Sequence, residues 1–255
     1  MLTEERRERI LQLLTTQTIV KTQDLMQQLD ASESTIRRDL QELENEGLLE
    51  RVHGGAKINQ KLAFELNMQD KSSKNSQEKK KIAQLAVAEI HEGDVIYLDA
   101  GSTTLEMIPL LQGKQITVVT NSVGHAAQLV NLNIPTMILG GNIKLTTDAV
   151  LGTTAIQQLK QLRFNKAFLG MNGADSQFGF STPDPEEAAV KREAMEASKK
   201  SYVLIDATKF NTITFTKVLD LESATILTDY CPPEYLATFA ATTTIKEANS
   251  VEGGK

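Results

Sequence analysis

Seven short apolar runs recur through the chain after residue 94: VIYLD (95–99), ITVVT (116–120), TMILG (136–140), KAFLG (166–170), YVLID (202–206), ATILT (224–228) and TTTI (242–245). Stretches with helical patterning accompany them at 77–90, 103–111, 123–131, 153–162, 185–199 and 234–241. Such runs are too short for helices and too uniformly apolar to keep one wet face, so they read as strands buried on both sides. Strands joined through helices run parallel. The alternation predicts an α/β chain with a doubly wound, mostly parallel sheet.

In an open parallel sheet, ligands bind beyond the carboxyl ends of the strands. Polar and glycine residues collect there in five successive loops. DAGSTT (99–104) supplies Asp99, Gly101, Ser102, Thr103 and Thr104; NS (121–122) supplies Asn121; GGN (140–142) supplies Gly140 and Gly141. MNGAD (171–175) adds Asn172, Gly173 and Asp175, and DATK (206–209) adds Asp206 and Lys209. One such loop is only a turn, whereas five on successive strands predict a cleft. Gly101 permits a sharp turn, after which Ser102, Thr103 and Thr104 open a helix. Free N–H groups and hydroxyls there make an anion cradle, to which Lys209 adds a cation. Asp99, Asn121, Asn172, Asp175, Glu186 and Asp206 offer acceptors for sugar hydroxyls. Capping of nearby loops is the second, less favoured reading of Asp99 and Asp206, whereas Glu186 and Glu187 serve equally well as partners of the dipole of the helix they open.

The N-terminal residues follow another pattern. Residues 3–15 read as a helix capped by Thr3, and a β-prone TIV (18–20) leads to a small helix opened by Thr22. After a tight turn, DAS (30–32), comes STIRRDLQELENEG (34–47). At 100° per residue Ile36, Leu40 and Leu43 form one stripe, while Ser34, Arg38 and Gln41 point the opposite way with Thr35 and Arg37 on the flanks. Ser32 is a natural N-cap and Gly47 a natural stop. Alone, this is a solvated amphipathic helix. The following LLERVHGGAKI reads as a hairpin, and helix, helix, turn, helix and hairpin in under 60 residues predict a winged helix-turn-helix. In that arrangement Ser34, Thr35, Arg37, Arg38 and Gln41 face the major groove, and His53 and Lys57 approach DNA from the wing.

Net charge is −6, and no segment carries a global basic field: residues 1–60 hold 8 basic and 11 acidic side chains. Contact with DNA must therefore come from a local face. The single Cys231 excludes an internal disulfide, and His53, His91 and His125 have no metal-ligand spacing. No metal and no cofactor is expected. No apolar run approaches a membrane span, and MLTEERRERI is too charged for a secretory signal, so a cytoplasmic protein is expected. The expected division is a winged helix-turn-helix at 1–58, a polar linker at 59–76, a sensing domain at 77–247 and a disordered tail at 248–255.

SESTIRRDLQELENEGLLERVHGGA (32–56), followed in order by DAGSTT, VTNS, GG, NGAD and DATKF, resembles the DeoR family of bacterial sugar-metabolism repressors over almost the whole chain. Within it the chain is most similar to the fructose-operon repressors of lactic-acid bacteria. The resemblance implies operator double-stranded DNA as partner, fructose 1-phosphate or a related sugar phosphate as effector, and a homodimer or higher homo-oligomer. It also implies a sensing domain similar to ribose-phosphate isomerases and glucosamine-phosphate deaminases, whose phosphate loop matches Gly101-Ser102-Thr103 and whose distal lysine matches Lys209. The isomerases carry Asp-Gly-Ala-Asp where this chain has Asn172-Gly173-Ala174-Asp175. An amide cannot act as general base, and the deaminases' loop histidine is missing, so an enzyme is the weaker reading. The family's linker arginine is replaced around Asn67 to Lys71. The same parts would also serve an activator, and a helix-turn-helix can be used for protein contact instead of DNA.

Overall fold

In a computed structural model of the chain, the structure describes residues 19–45, 49–58 and 68–248, with Thr3, Arg6, Arg7, Arg9, Ile10, Leu13 and Leu14 before them. Gly47, the linker positions 59–67 and the tail from 249 onward lie outside the described residues. The chain divides into two compact units, residues 1–64 and 65–255.

In the first unit, the described residues from Thr3 to Leu14 are helical. There follow β1 (Ile19–Lys21), α1 (Thr22–Leu29), α2 (Glu33–Asn45), β2 (Leu49–Val52) and β3 (Gly55–Ile58). The Ser32 hydroxyl accepts from the Thr35 N–H at 3.3 Å, the expected N-cap. Ile36, Leu40 and Leu43 pack with Ile10, Leu14, Leu25, Leu29 and Leu49 in one core. The small antiparallel sheet has the order β1-β3-β2. The paired glycines of the hairpin have separate jobs. Gly54 takes φ +81°, and a Cβ on Gly55 would lie 2.1 Å from the Val20 carbonyl oxygen.

The second unit begins with α3 (Met68–Ser73) and α4 (Ser76–Ala88), then β4 (Val95–Leu98), α5 (Ser102–Leu105), β5 (Thr117–Thr120), α6 (Val123–Asn131) and β6 (Thr136–Ile138). A hairpin of β7 (Asn142–Lys144) and β8 (Ala149–Leu151) leads through α7 (Thr153–Lys160) to β9 (Phe164–Gly170). Next are β10 (Gly173–Asp175), β11 (Gly179–Thr182), α8 (Pro185–Glu196), β12 (Ser198–Leu204) and β13 (Thr216–Leu219). The unit ends with β14 (Thr225–Thr228), α9 (Pro233–Ala240) and β15 (Ile245–Glu247).

Seven strands form a wholly parallel sheet in the order β15-β14-β12-β9-β4-β5-β6. From β4 the chain moves outward to β6, then returns to β9 on the other side of β4. The β4/β9 boundary is the topological switch point where ligands bind in such sheets. Neighbouring side chains on each strand alternate between two cores. Tyr97, Val119, Ala167, Leu169 and Val203 join one, while Ile96, Leu98, Val118, Phe168 and Leu204 join the other. Both faces are covered, as the uniformly apolar runs require.

Local departures have local causes. Pro109 near the start of a 3-10 turn at Ile108–Leu111 splits the helix expected over 103–111. The helix expected over 185–199 stops at Glu196, since Ser198 already pairs with Phe164 in the sheet. The strand read at 242–245 lies at 245–247, because the Thr242 and Thr243 N–H groups close α9 on the Phe239 carbonyl. Within the stretch read as linker, Met68–Ser73 is helical and its Met68 N–H donates to the Thr146 carbonyl at 3.0 Å. The antiparallel β10-β11-β13 sheet and the β7-β8 hairpin add to the expected elements; their strands of three or four residues carry no legible alternation. No described helix is long and apolar enough to cross a membrane.

Candidate functional site

On α2, Ser34, Arg37, Arg38 and Gln41 are exposed while Ile36, Asp39, Leu40 and Leu43 are buried. The Thr35 and Ser34 hydroxyls lie 2.8 and 3.0 Å from the Ser32 hydroxyl, so both take part in the cap. Arg37 pairs with Glu33 at 2.6 Å and Arg38 with Glu42 at 3.3 Å, each one turn away on the same helix. Exposed pairs of this kind contribute about 0–1 kcal/mol, so a phosphate or a guanine edge can displace the carboxylates at little cost. His53 is exposed in the β2–β3 turn, and Lys57 on β3 pairs with Glu50 at 3.1 Å.

Two residues that sequence reasoning misses belong to this face. Arg51 on β2 donates through Nη1 to the Gln41 amide oxygen at 2.5 Å, joining wing and helix. Asp39, buried beneath the face, accepts from Arg6 Nε at 2.5 Å and lies 3.5 Å from Arg7 Nε. Its hydrogen bond raises the pKa of Arg6 further. The adjacent RRD letters carry the sign: at helical spacing Asp39 falls beside the buried Leu40 and Leu43 stripe.

In the second unit, Asp99, Gly101, Thr104 and Gly170 converge at the switch point. Asp99 is buried; its Oδ2 accepts from the Gly170 N–H at 2.9 Å and is held by the Lys191 ammonium of α8, which also donates to the Gly170 carbonyl at 3.0 Å. Asp99 Oδ1 lies 3.0 Å from Thr104 Oγ1, which accepts from the Gly101 N–H at 3.1 Å. A Cβ on Gly101 would sit 2.8 Å from Asp99 Oδ1 and 3.0 Å from Thr104 Oγ1. Beneath the loop, His125 Nε2 lies 3.2 Å from the Gly101 carbonyl and 3.2 Å from Thr104 Oγ1. A carbonyl only accepts, which assigns the proton to Nε2. Burial pulls the His125 pKa down to about 4, with the field of Asp99 and the Gly101 bond opposing.

A second gathering lies beside α5, against which α3 and α4 pack. Lys79 of α4 is buried, and its ammonium donates to the main-chain carbonyls of Lys71 and Lys74, the latter at 2.7 Å. Burial lowers its pKa to about 8; Asp206 and Glu106 pull the other way, while Lys209 and Lys71 push it down. Lys209 is partly buried, and burial also lowers its pKa, opposed by Asp206 and reinforced by Lys74 and Lys71. Asp206 caps the turn Ala207–Lys209 by accepting from the Thr208 N–H at 3.0 Å. Burial would raise its pKa, but Lys209 and the bonds from Thr208 and Asn75 lower it overall. Lys71, Lys74, Lys79 and Lys209 thus lie close together, with Asp206 acting on Lys79 and Lys209 and Glu106 on Lys79. Ser102 and Thr103 are buried at the start of the adjoining α5.

The other candidates fall elsewhere in the fold. The Asn121 amide accepts from the Tyr97 hydroxyl at 2.9 Å and donates to the Val150 carbonyl at 3.3 Å, an interior role. Gly140 and Gly141 lead into β7, with the Gly140 N–H donating to Gln158 at 2.9 Å. Asn172 accepts from Thr182 at 3.1 Å, and Gly173 starts β10. Asp175 closes the β10–β11 turn, accepting from the Gln177 and Phe178 N–H groups at 2.9 and 2.8 Å. Glu186 is exposed, whereas Glu187 is buried and bonded to Lys144 and Thr147. Asp184, not a glutamate, caps α8.

Comparison with known proteins gives two family matches. A DeoR-like helix-turn-helix domain matches residues 6–62, and a DeoR C-terminal sensor domain matches residues 74–230. The chain is 46% identical to the uncharacterized HTH-type transcriptional regulator FruR of Bacillus subtilis, over 89% of this chain and 91% of that one. It is 34% identical to a lactose phosphotransferase system repressor of Lactococcus lactis, over 96% of this chain and 99% of that one. Among solved structures, ribose 5-phosphate isomerase A of Methanocaldococcus jannaschii aligns over 53% of this chain and 55% of its own, with TM-score 0.41 and 18% identity.

Proposed function

The chain belongs to the DeoR family of transcriptional regulators, and we propose that it represses a fructose-utilisation operon and is released from the operator by a phosphorylated sugar such as fructose 1-phosphate. The lysine cluster carries the effector half of this reading. Lys79 and Lys209 both feel the carboxylate of Asp206, with Lys71 and Lys74 beside them, four cations set against the negative charge of Asp206 and Glu106. A phosphate dianion beside the Ser102 and Thr103 hydroxyls supplies further negative charge. Asp99 is the less suitable sugar contact, as both of its oxygens are already engaged.

The DNA half rests on the exposed Arg37, Arg38, Gln41 and Arg51, with Ser34, Thr35, His53 and Lys57 around them. The fructose assignment follows the resemblance in the sequence and the FruR name of the Bacillus relative. Asn172 in place of a general-base aspartate favours sensing over turnover.

The test is a titration of fructose 1-phosphate against the chain bound to fragments of its own promoter, at fixed salt. A coupling of about 1–3 kcal/mol lowers operator affinity roughly 5- to 150-fold, and bound operator weakens sugar binding by the same factor. Tighter DNA binding reverses the sign and makes the sugar phosphate a corepressor or coactivator. No response to any sugar phosphate in a panel removes the effector reading.

A further inference from the structure

The two outward arginines of α2 are held in different ways. Arg37 meets Glu33 through Nη2, at the tip of the guanidinium, and Glu33 is itself 55% exposed. Arg38 meets Glu42 through Nε, the nitrogen nearest the chain, at 3.3 Å, and makes no other bond among the described residues. Both of its terminal nitrogens are therefore left open. The second carboxylate oxygen of Glu42, Oε2, accepts from Arg7 Nη2. Arg7 Nε in turn lies 3.5 Å from the Asp39 carboxylate, which Arg6 also holds.

These contacts form a chain from the interior outward. Side-chain exposure rises from 2% at Asp39 through 22% at Arg7 and 36% at Glu42 to 80% at Arg38. Each link is placed by the more buried one before it, so Arg38 rests on a support that is itself anchored. Glu33 gives Arg37 no such backing among the described residues.

We infer that Glu42 is a positioning residue for operator reading: anchored by Arg7, it grips Arg38 at Nε and presents the two terminal nitrogens to a guanine. The inference rests on the DNA half of the function proposed above. The Arg38 pair is weak by itself, but Arg38 can keep it and still reach a base. Two parallel donors match guanine O6 and N7, a contact that carries sequence information, whereas a phosphate contact carries none. A guanidinium fixed before binding also loses less freedom on meeting its base. The carboxylate has a second effect, because a negative charge on the groove face repels phosphate and weakens attraction to DNA of any sequence. Glu42 thus favours discrimination twice, by aiming Arg38 and by weakening unspecific binding.

The experiment uses the full chain and the double-stranded DNA that it selects from a random-sequence pool. The base pair read by Arg38 is the one at which Arg38→Ala loses its preference, and guanine is expected there. Glu42→Gln keeps the shape but leaves one acceptor oxygen for two guanidiniums. Its preference for guanine at that position should fall about tenfold. Its binding to fragments without the operator should tighten, and the slope of log affinity against log salt should steepen by about 1 as Arg38 turns to a phosphate. Arg7→Gln should lower the guanine preference in the same direction by a smaller factor. In the Arg38→Ala background, Glu42→Gln should leave the base preferences as they are. Preference is a ratio of two affinities of one protein, so a partly unfolded preparation lowers both and leaves the ratio unchanged. Equal guanine preference in the parent and Glu42→Gln, an equal loss with Arg38 absent, no position that depends on Arg38, or a base other than guanine there would each overturn the inference. A parent that selects no sequence overturns the DNA reading itself, and this inference with it.

Discussion

Lys191, on α8, reaches the Asp99 carboxylate at the tip of β4 and the Gly170 carbonyl at the tip of β9, bridging the two strands between which the sheet reverses its order. Both side chains are buried. Lys191→Met should strand the Asp99 charge and destabilise the sensor unit by about 3–5 kcal/mol. Adding Asp99→Asn should recover part of that loss. Urea unfolding of the two proteins checks it; equal stabilities would mean that Asp99 is satisfied by Thr104 and Gly170 alone.

Arg38→Ala should weaken operator binding by about 1–3 kcal/mol with little change in folding, as its exposed pair with Glu42 holds little energy. The salt dependence separates a phosphate target from a base target. A phosphate contact lowers the slope of log affinity against log salt by about 1, while a base contact relaxes preference at one position. Arg51→Ala should act on Gln41 as well, because it removes the guanidinium bonded to that amide.

Lys209→Ala should weaken sugar-phosphate binding and leave effector-free DNA binding intact. The protonation of Lys79 offers a second readout. Its pKa of about 8 lies below its ordinary value, so near pH 8 a fraction of the chain holds it neutral. A phosphate dianion nearby raises that pKa, and binding near pH 8 should take up protons. Calorimetry in buffers of different ionisation enthalpy measures the uptake; heats that do not vary with buffer would place the phosphate away from Lys79.

His125 sets a pH limit on the sensor unit. Its folded pKa of about 4 is below the unfolded value of about 6.5, so the unfolded chain binds the extra proton between these values. Stability from this residue is complete above pH 6.5 and is lost as pH falls toward 4, by on the order of 3 kcal/mol. His125→Gln should flatten that part of the stability profile. Thermal unfolding in steps from pH 7 to pH 4.5 shows the difference.

The strands and the recognition helix are visible in the sequence through period alone. Ile36, Leu40 and Leu43 fall on one stripe, and the apolar runs between 95 and 228 all became strands of one sheet. The buried cations are legible too, though only against expectation. Lys79 stands in the stripe Ile82, Ala83 and Ala86, and Lys191 in that of Ala188, Ala194 and Met195, while Lys80 and Lys81 face out. A charged letter inside an apolar period is readily taken for surface. The pairing of β10, β11 and β13 is beyond reach, because it depends on contacts between residues 173–182 and 216–219 that no local pattern records. Asp175 and Asn121 resemble ligand groups for the same reason: their partners, a turn and a tyrosine, are set by the fold.

The ammonium of Lys79 also limits what can stand in its place. Its N–H bonds spread as a tetrahedron, and two of them end on the carbonyls of Lys71 and Lys74, three residues apart along one turn of chain. A guanidinium keeps the charge but sets its donors flat in a rigid fork. Position 79 is therefore selective for the stereochemistry of its cation: Lys79→Arg would keep a positive charge there and still lose the turn it ties.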